Sequence, residues 1–285
     1  MNTAYLNGNY MALEEARISP MDRGFLFGDG VYEVIPSYDG KLVGFQPHID
    51  RLQTNLAAIS LESGVPAKTW HDIAITLMSD NPGQNLGIYL HVSRGPDSKR
   101  FHGFPQNPAP TIFAFAFDIA PQREADRTRV KGAKVKSAED MRWKRCNIKS
   151  TSLLGNVLHF QHSHDSGAQE TILFNERNEL TEASSSNVFV VKNEIVSTPP
   201  LDNQILPGIT RRLVLDILDK DGVVECQQRV ISMDEVREAD EIWLTSSSKE
   251  ITPVTELDGK PVGNGQVGDL WQVAQTLFNT HKFSY

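Results

Sequence analysis

Lys149 is the residue of this sequence whose type and neighbours most strongly suggest covalent chemistry. It follows Ile148 and precedes a predicted apolar helix, and the basic residues Arg142, Lys144 and Arg145 lie shortly before it. A lysine that forms a Schiff base must lose its proton, and both burial and neighbouring cations favour that loss. A surface lysine is nevertheless the commoner case, so the assignment needs support from other segments.

A carboxylate next to a predicted strand is the second candidate. Glu182 lies in the hydroxyl-rich segment Thr181–Asn187, which leads into the predicted strand 187–191. A carboxylate in this place could face the nitrogen of a heterocycle. An ordinary polar turn, rich in hydrogen bonds from side chain to backbone, explains the same residues equally well.

Two further segments could bind an anion such as a phosphate. Leu206–Ile209 forms a predicted turn before an amphipathic helix, and the first N–H groups of a helix have no partner within it. The hydroxyl run Thr245–Ser248 ends a predicted strand and could donate to the same anion. Taken singly, each segment is more often a plain helix start or a polar turn.

The loop Ser93–Pro110 contains two residues that could bind a carboxylate. Arg100 and His102 lie two positions apart, and both side chains could donate charge-assisted hydrogen bonds. Loops of this length without secondary structure are often functional. A solvated loop without a site is the alternative.

The elements that position these residues are predicted from turn residues and hydrophobic periodicity. Asn7-Gly8 and Asp39-Gly40 each lie between short apolar runs and predict two β-hairpins. Helical spacing predicts helices that begin at Pro47 and Ala67. The other predicted strands are 87–94, 111–117, 130–137, 170–174, 187–191, 223–229 and 241–245, and the other predicted helices are 152–166, 209–220 and 268–281.

A change in composition near residue 120 predicts a domain boundary. Ala120–Arg129 is polar, contains a proline and has no apolar period, which is typical of a linker. We therefore expect a small N-terminal α+β domain over residues 1–119, a linker over 120–130, and a larger domain over 131–285.

Composition and charge argue against several classes of protein. The chain has 285 residues and a net charge of −8, whereas nucleic-acid binders usually carry a basic face. Cys146 and Cys226 form neither a metal-ligand spacing nor a disulfide framework, so we expect no metal and a reducing cytoplasm. The first residues do not resemble a signal peptide, and no apolar run has the length of a membrane span.

Six segments together carry a family resemblance that none of them would carry alone. In chain order they are Asp22–Glu33, His48–Leu52, Arg142–Ser150, Thr181–Phe189, Gly208–Arg211 and Thr245–Val254. They resemble the class IV aminotransferases, and most of all the D-amino-acid transaminases, over nearly the whole chain. The resemblance implies the mixed α+β and α/β fold of that family, with a small N-terminal domain and a larger pseudo-barrel domain that binds pyridoxal 5′-phosphate (PLP).

The resemblance also implies roles for individual residues. Lys149 would form the Schiff base with PLP and move the substrate proton, and Glu182 would pair with the pyridinium nitrogen. Tyr32 would line the substrate pocket. The PLP phosphate would be held by Arg51, by the backbone of Ile209 and Thr210, and by Ser247. The substrate α-carboxylate would be bound by Arg100 and His102, reaching in from the partner subunit of a homodimer with shared active sites.

Two positions depart from the family pattern. Ser247 stands where the D-specific enzymes often have Thr, which keeps the hydroxyl donor. Ala183 stands where the family usually has Gly, and its Cβ would cost energy if the residue had a positive φ.

The expected reaction moves the amino group of a D-amino acid, such as D-alanine or D-glutamate, to a 2-oxo acid such as 2-oxoglutarate. The expected cycle is ping-pong, and Arg100 with His102 favours the D-specific interpretation. The alternatives on the same fold are a branched-chain L-amino-acid transaminase, an (R)-amine transaminase and aminodeoxychorismate lyase. A PLP carrier without activity is an alternative of a different class, and Lys149, Glu182 and Arg51 together argue against it.

Overall fold

The computed structural model describes residues 2–285, and their contacts divide the chain into two compact units. Unit 1 consists of residues 2–121, 148–153 and 285, and unit 2 of residues 122–147 and 154–284. Lys149 therefore belongs to unit 1, although the residues on both sides of its short segment belong to unit 2. The segment Ala120–Arg129 contains no helix or strand.

Unit 1 is built on a six-stranded antiparallel sheet in the order β2-β1-β6-β5-β3-β4. Both predicted hairpins are present, since Asn7, Gly8, Asp39 and Gly40 all have the positive φ that two-residue hairpin turns require. The strands are β1 (Thr3–Leu6), β2 (Asn9–Ala12), β3 (Gly30–Tyr38), β4 (Lys41–Leu42), β5 (Asn85–Ser93) and β6 (Thr111–Asp118).

Three helices accompany this sheet: α1 (Arg23–Phe27), α2 (Phe45–Ala58) and α3 (Ala67–Asp80). The apolar faces of α2 and α3 bury Leu52 and Trp70 against β-strand residues such as Val31 and Ile35. Helix α2 begins two residues before Pro47. The proline still fits there, because the N–H groups of the first turn have no partner within the helix.

Unit 2 is built on a nine-stranded mixed sheet in the order β12-β11-β10-β13-β14-β7-β8-β9, with β15 paired to β14. The pairs β7/β8, β7/β14 and β11/β12 are parallel. The strands are β7 (Ala133–Glu139), β8 (Glu170–Phe174), β9 (Leu180–Ala183), β10 (Asn187–Lys192), β11 (Ile195–Thr198), β12 (Cys226–Gln228), β13 (Glu241–Ser246), β14 (Glu250–Leu257) and β15 (Lys260–Pro261).

The helices of unit 2 are α4 (Leu154–Asp165), α5 (Ile209–Asp221), α6 (Met233–Arg237) and α7 (Asp269–His281). Helices α5 and α7 have buried apolar stripes, whereas α4 buries only Ser163 fully and leaves apolar side chains exposed. Over residues 2–285, no helix combines the length and apolarity that crossing a bilayer would require.

Candidate active site

In unit 1, the segment that carries Lys149 is fixed beside β3. Tyr32 N donates to Lys149 O at 3.0 Å, and Thr151 N donates to Gly30 O at 3.0 Å. The Lys149 Nζ atom lies 4.2 Å from the centre of the Tyr32 ring. The backbone hydrogen bonds therefore fix the position of residue 149, and its amine lies against the face of the Tyr32 ring.

A buried cluster of three charged or titratable side chains lies in the same unit. Glu33 accepts from Arg51 Nε at 2.8 Å and from Arg51 Nη2 at 2.7 Å, and it is 2.7 Å from His48 Nδ1. Burial raises the pKa of the Glu33 carboxyl, but Arg51 and His48 outweigh it and bring the pKa to about 2. Arg51, expected to hold a phosphate, is thus held in one orientation by a permanently ionised partner.

Burial lowers the pKa of His48 below its usual value of 6.5. The nearby cations Arg51 and Lys149 lower it further, while Glu33 opposes the shift. Neither Glu33 nor His48 was singled out for a role from the sequence. The sequence offered a weak signal for both residues, namely their positions relative to assigned residues. Glu33 follows Tyr32 directly, and His48 precedes Arg51 by one helical turn.

In unit 2, Glu182 is a buried carboxylate surrounded by donors. It accepts from Arg142 Nη1 at 2.6 Å, from Leu206 N at 3.0 Å and from Asn187 Nδ2 at 3.1 Å. Burial raises the pKa of Glu182 to about 7, although Arg142 and the Leu206 amide act in the opposite direction. Arg142 is itself held by Asp140, through bonds of 2.9 Å and 2.7 Å.

Ala183 is accommodated without strain. It is the last residue of β9, it is buried, and it is not among the residues with positive φ. The Cβ atom that distinguishes it from glycine therefore adds no backbone cost at this position.

The start of α5 lies beside the Glu182 carboxylate. Gly208 is the residue before the helix, and no described side chain caps the first turn, to which the buried residues Ile209 and Thr210 belong. A Cβ on Gly208 would lie 2.0 Å from Asn187 Oδ1, so only glycine fits here. Since Asn187 also donates to Glu182, it connects the carboxylate to the N-terminus of α5.

The predicted hydroxyl run lies at the same edge of the sheet. Asn187 is opposite Thr245 in the β10/β13 register, and Ser247 is half-buried in the turn that follows β13. Thr245 Oγ1 is buried and has no hydrogen-bond partner among the described residues. This edge of unit 2 thus combines a carboxylate, the N-terminal turn of a helix that no described side chain caps, and hydroxyls, which suits a nitrogen heterocycle that bears a phosphate.

Arg100 and His102 lie in unit 1, in the irregular segment between β5 and β6. Both are exposed, and both contact Phe27. The Phe27 ring centre is 5.2 Å from the His102 ring centre and 5.2 Å from Arg100 Cζ. The structure therefore brings the two residues together on one aromatic ring.

The chain is similar to known aminotransferases over almost its full length. Residues 30–257 match the family described as Amino-transferase class IV. The D-alanine aminotransferase of Staphylococcus haemolyticus is 37% identical over 284 residues, covering 99% of this chain and 98% of that protein. The D-alanine aminotransferase of Bacillus licheniformis is 36% identical over 271 residues, covering 95% and 93%.

Solved structures show the same fold. The branched-chain amino acid aminotransferase of Escherichia coli has a TM-score of 0.87 at 22% identity, covering 99% of this chain and 94% of that one. The T.th. branched-chain enzyme, complexed with N-(5′-phosphopyridoxyl)-L-glutamate, has a TM-score of 0.88 at 22% identity, with 99% and 94% covered. At this identity the likeness concerns the fold alone, and it confirms the two-domain class IV fold expected from the sequence. The family match, the curated relatives and the residues that suit a phosphorylated heterocycle agree, and the chain belongs to the class IV aminotransferases, which depend on pyridoxal 5′-phosphate.

Proposed function

We propose that this enzyme transfers the amino group of a D-amino acid, such as D-alanine or D-glutamate, to a 2-oxo acid such as 2-oxoglutarate in a ping-pong cycle. The observation that carries the proposal is the pairing of Arg100 with His102 on Phe27, which presents two donors suited to one carboxylate. The names of the curated relatives, which are D-alanine aminotransferases, support the same substrate class.

PLP, when bound, supplies the electron sink for breaking the Cα–H bond. We assign Glu182 to the ring nitrogen, where its negative charge keeps that nitrogen protonated. We assign Arg51, the backbone of Ile209 and Thr210, and Ser247 to the phosphate. The amine of Lys149 takes the proton from the substrate Cα, and its tethered position makes this transfer effectively unimolecular. We assign Tyr32, whose ring centre lies 4.2 Å from that amine, to the substrate pocket.

The enantiomer that reacts is determined by the position at which the substrate carboxylate is bound. The lysine amine removes the proton from one face of the cofactor plane. The position of the group that binds the carboxylate therefore decides whether the D or the L enantiomer directs its Cα–H bond at that amine. We expect wild-type enzyme to transaminate D-alanine and D-glutamate faster than L-leucine, measured with 2-oxoglutarate as acceptor. Faster turnover of L-leucine would favour the branched-chain alternative instead.

The strength of the anchor is tested by Arg100→Ala. Loss of one charge-assisted hydrogen bond costs roughly 1.5–3 kcal/mol, so kcat/KM for D-alanine should fall roughly tenfold to a hundredfold. Lys99→Ala, at the exposed neighbouring position, is the matched control and should leave kcat/KM near the wild-type value.

The protonation of Glu182 predicts a dependence on pH. The carboxyl has a pKa of about 7 among its protein neighbours, and a cationic ring nitrogen opposite would lower it. The rate of Cα proton removal should therefore decrease as pH falls through about 7 or somewhat below, where the carboxylate gains a proton. Glu182→Gln should be slower than wild type and lack this acid limb, as seen in stopped-flow traces of the D-alanine half-reaction.

Glu179→Gln is the control for this experiment, because Glu179 is paired with Arg177 at 2.7 Å and has no contact in common with Glu182. It should keep both the wild-type rate and the acid limb. An unchanged deprotonation rate in Glu182→Gln would contradict the assigned role.

We also propose that the enzyme is a cytoplasmic homodimer whose subunits exchange the loop that carries Arg100 and His102. An apolar surface on unit 2 supports the association. Leu154, Val157 and Leu158 on α4, together with Met141 and Trp143, are all exposed. Contiguous exposed apolar side chains typically mark a protein interface, and a second copy of the chain offers the same surface in return.

A further inference from the structure

Helix α1 and the two residues that flank it form the segment Asp22–Gly28. This segment makes up a large part of Asp22–Glu33, the first motif of the family resemblance. The proposed function gives it no role. The helix has five residues and is capped by Asp22, whose Oδ1 accepts from Gly24 N at 2.8 Å. A Cβ on Gly24 would lie 2.7 Å from Ser93 Cβ, so the helix is packed closely against the end of β5.

Helix α1 is bonded to both ends of the loop that carries Arg100 and His102. Asp22 accepts from Ser93 Oγ at 2.7 Å, at the end of β5, and from Thr111 Oγ1 at 2.5 Å, at the start of β6. Arg23 N donates to Gly95 O at 3.0 Å. The two strand ends from which the loop emerges are therefore held by a single carboxylate.

The side chain of Arg23 holds the tip of the same loop. Arg23 Nη1 donates to Phe101 O at 2.6 Å and to Gly103 O at 3.2 Å, and Nη2 donates to His102 O at 3.2 Å. The remaining donor, Nε, bonds to Asp29 at 2.7 Å. A buried guanidinium thus fixes three consecutive carbonyls around His102, in a loop without regular secondary structure.

Asp29 extends this network to the next residues of the loop. It accepts from Arg94 Nε at 2.8 Å and from Arg94 Nη2 at 3.0 Å. The Arg94 guanidinium lies 3.6 Å from the centre of the Phe104 ring. Burial raises the pKa of Asp29, but Arg94 and Arg23 more than compensate and keep the pKa below the usual value of 3.8. The carboxylate is therefore ionised and bound to both arginines at neutral pH.

The side chains of Arg100 and His102 contact the other end of α1. Phe27 lies 5.2 Å from each of them, measured from its ring centre. The helix therefore fixes the backbone of the loop through Arg23 and the exposed side chains through Phe27. A long exposed side chain that is already ordered loses less conformational entropy when it binds a ligand.

We propose that Arg23 and Phe27 are positioning residues for the substrate carboxylate, acting through His102 and Arg100. The proposal rests on the proposed function in assigning the carboxylate to that pair. The ordering of the loop by Arg23, in contrast, concerns the folded protein and can be measured without any substrate.

The first experiment measures how Phe27→Leu affects catalysis in the holoenzyme. KM for D-alanine should rise about tenfold while kcat changes less than about twofold, because the group that moves the proton is untouched. Phe25→Leu is the matched control, since Phe25 lies in the same helix and is 70% exposed. It should behave like wild type.

A double-mutant cycle then separates positioning from general loss of structure. In an Arg100→Ala/His102→Ala background, Phe27→Leu should change KM less than about twofold, because the residues through which it acts are gone. An effect of undiminished size in that background would overturn the role of Phe27. Rescue of KM by Phe27→Tyr, which keeps the ring, is also expected.

The second experiment measures the order of the loop by limited trypsin digestion, which cleaves after Lys99 and Arg100. Arg23→Gln should increase the rate of cleavage at these two bonds at least about tenfold in the native protein, as followed by mass spectrometry. Arg23→Lys should fall in between, and Arg17→Gln, at an exposed arginine, should match wild type. Unchanged cleavage in Arg23→Gln would overturn the proposal.

The two experiments also distinguish failure of the inference from failure of the proposed function. If D-amino acids are not substrates but Arg23→Gln loosens the loop, the proposed function is wrong and the ordering by α1 stands. If D-alanine is a substrate but neither cleavage nor KM changes, the inference alone is wrong.

Discussion

Lys149→Ala is expected to reduce the rate of transamination by at least about three orders of magnitude, because both the covalent link to PLP and the proton carrier are lost. The fold should persist, since Tyr32 bonds to the backbone of residue 149 and not to its side chain. Turnover of D-alanine with 2-oxoglutarate measures the loss. Lys144→Ala removes an exposed lysine from the same segment and should retain wild-type turnover.

The attachment site itself can be identified chemically. After borohydride reduction of the holoenzyme, mass spectrometry should find the pyridoxyl group on the peptide that contains Lys149. A pyridoxyl group on Lys144 or Lys136 instead would show that the wrong lysine has been assigned.

Mixing two impaired variants is expected to restore activity, measured at subsaturating D-alanine, if the subunits exchange loops. A heterodimer of Lys149→Ala and Arg100→Ala chains then has one site that lacks both residues and one site that is intact. Each heterodimer should therefore approach half of the wild-type activity, and a fully equilibrated equimolar mixture about one quarter.

The control for the mixing experiment is a pair of chains that carry the same change. Two Lys149→Ala chains, or two Arg100→Ala chains, gain nothing from mixing and re-equilibration. If each chain used its own loop, every site in the heterodimer would lack one residue, and mixing would restore nothing. That result would contradict loop exchange while leaving the aminotransferase assignment intact.

Elements flanked by strong local signals were predictable from the sequence, and several elements without such signals were not. The turn residues Asn7-Gly8 located the first hairpin, and β8 (Glu170–Phe174) has the predicted bounds. The eight-residue strand β14 was missed, and its Pro253 is a residue that argues against a central strand. The four-residue strands β9 and β11 and the five-residue helices α1 and α6 were also missed. Elements of four or five residues without a flanking turn signal do not complete enough of a period to be recognised, and tertiary contacts decide their conformation.

The candidate site shows a similar division. Lys149 and Glu182 stand in motifs that can be recognised within a few positions of sequence. The partner of Glu182, Arg142, is 40 positions away, and no local pattern relates the two. Likewise, Arg23 reaches carbonyls 78 to 80 positions later in the chain. Such contacts depend on how the strands are ordered in the sheet, which local periodicity does not encode.

The assignment of residues 148–153 to unit 1 has a consequence for the order in which the protein is made. A nascent chain that has reached only residue 121 contains all six strands of the first sheet, but it lacks Ile148, which is buried in the core of that unit. It also lacks the carbonyl of Lys149, which accepts from Tyr32 N. The backbone of β3 around Tyr32 therefore remains an unpaired sheet edge until more of the chain emerges. Apart from Tyr285, unit 1 thus cannot be completed until residue 153 of 285, about half of the protein, has been synthesised, and the lysine is among the last residues that the unit acquires.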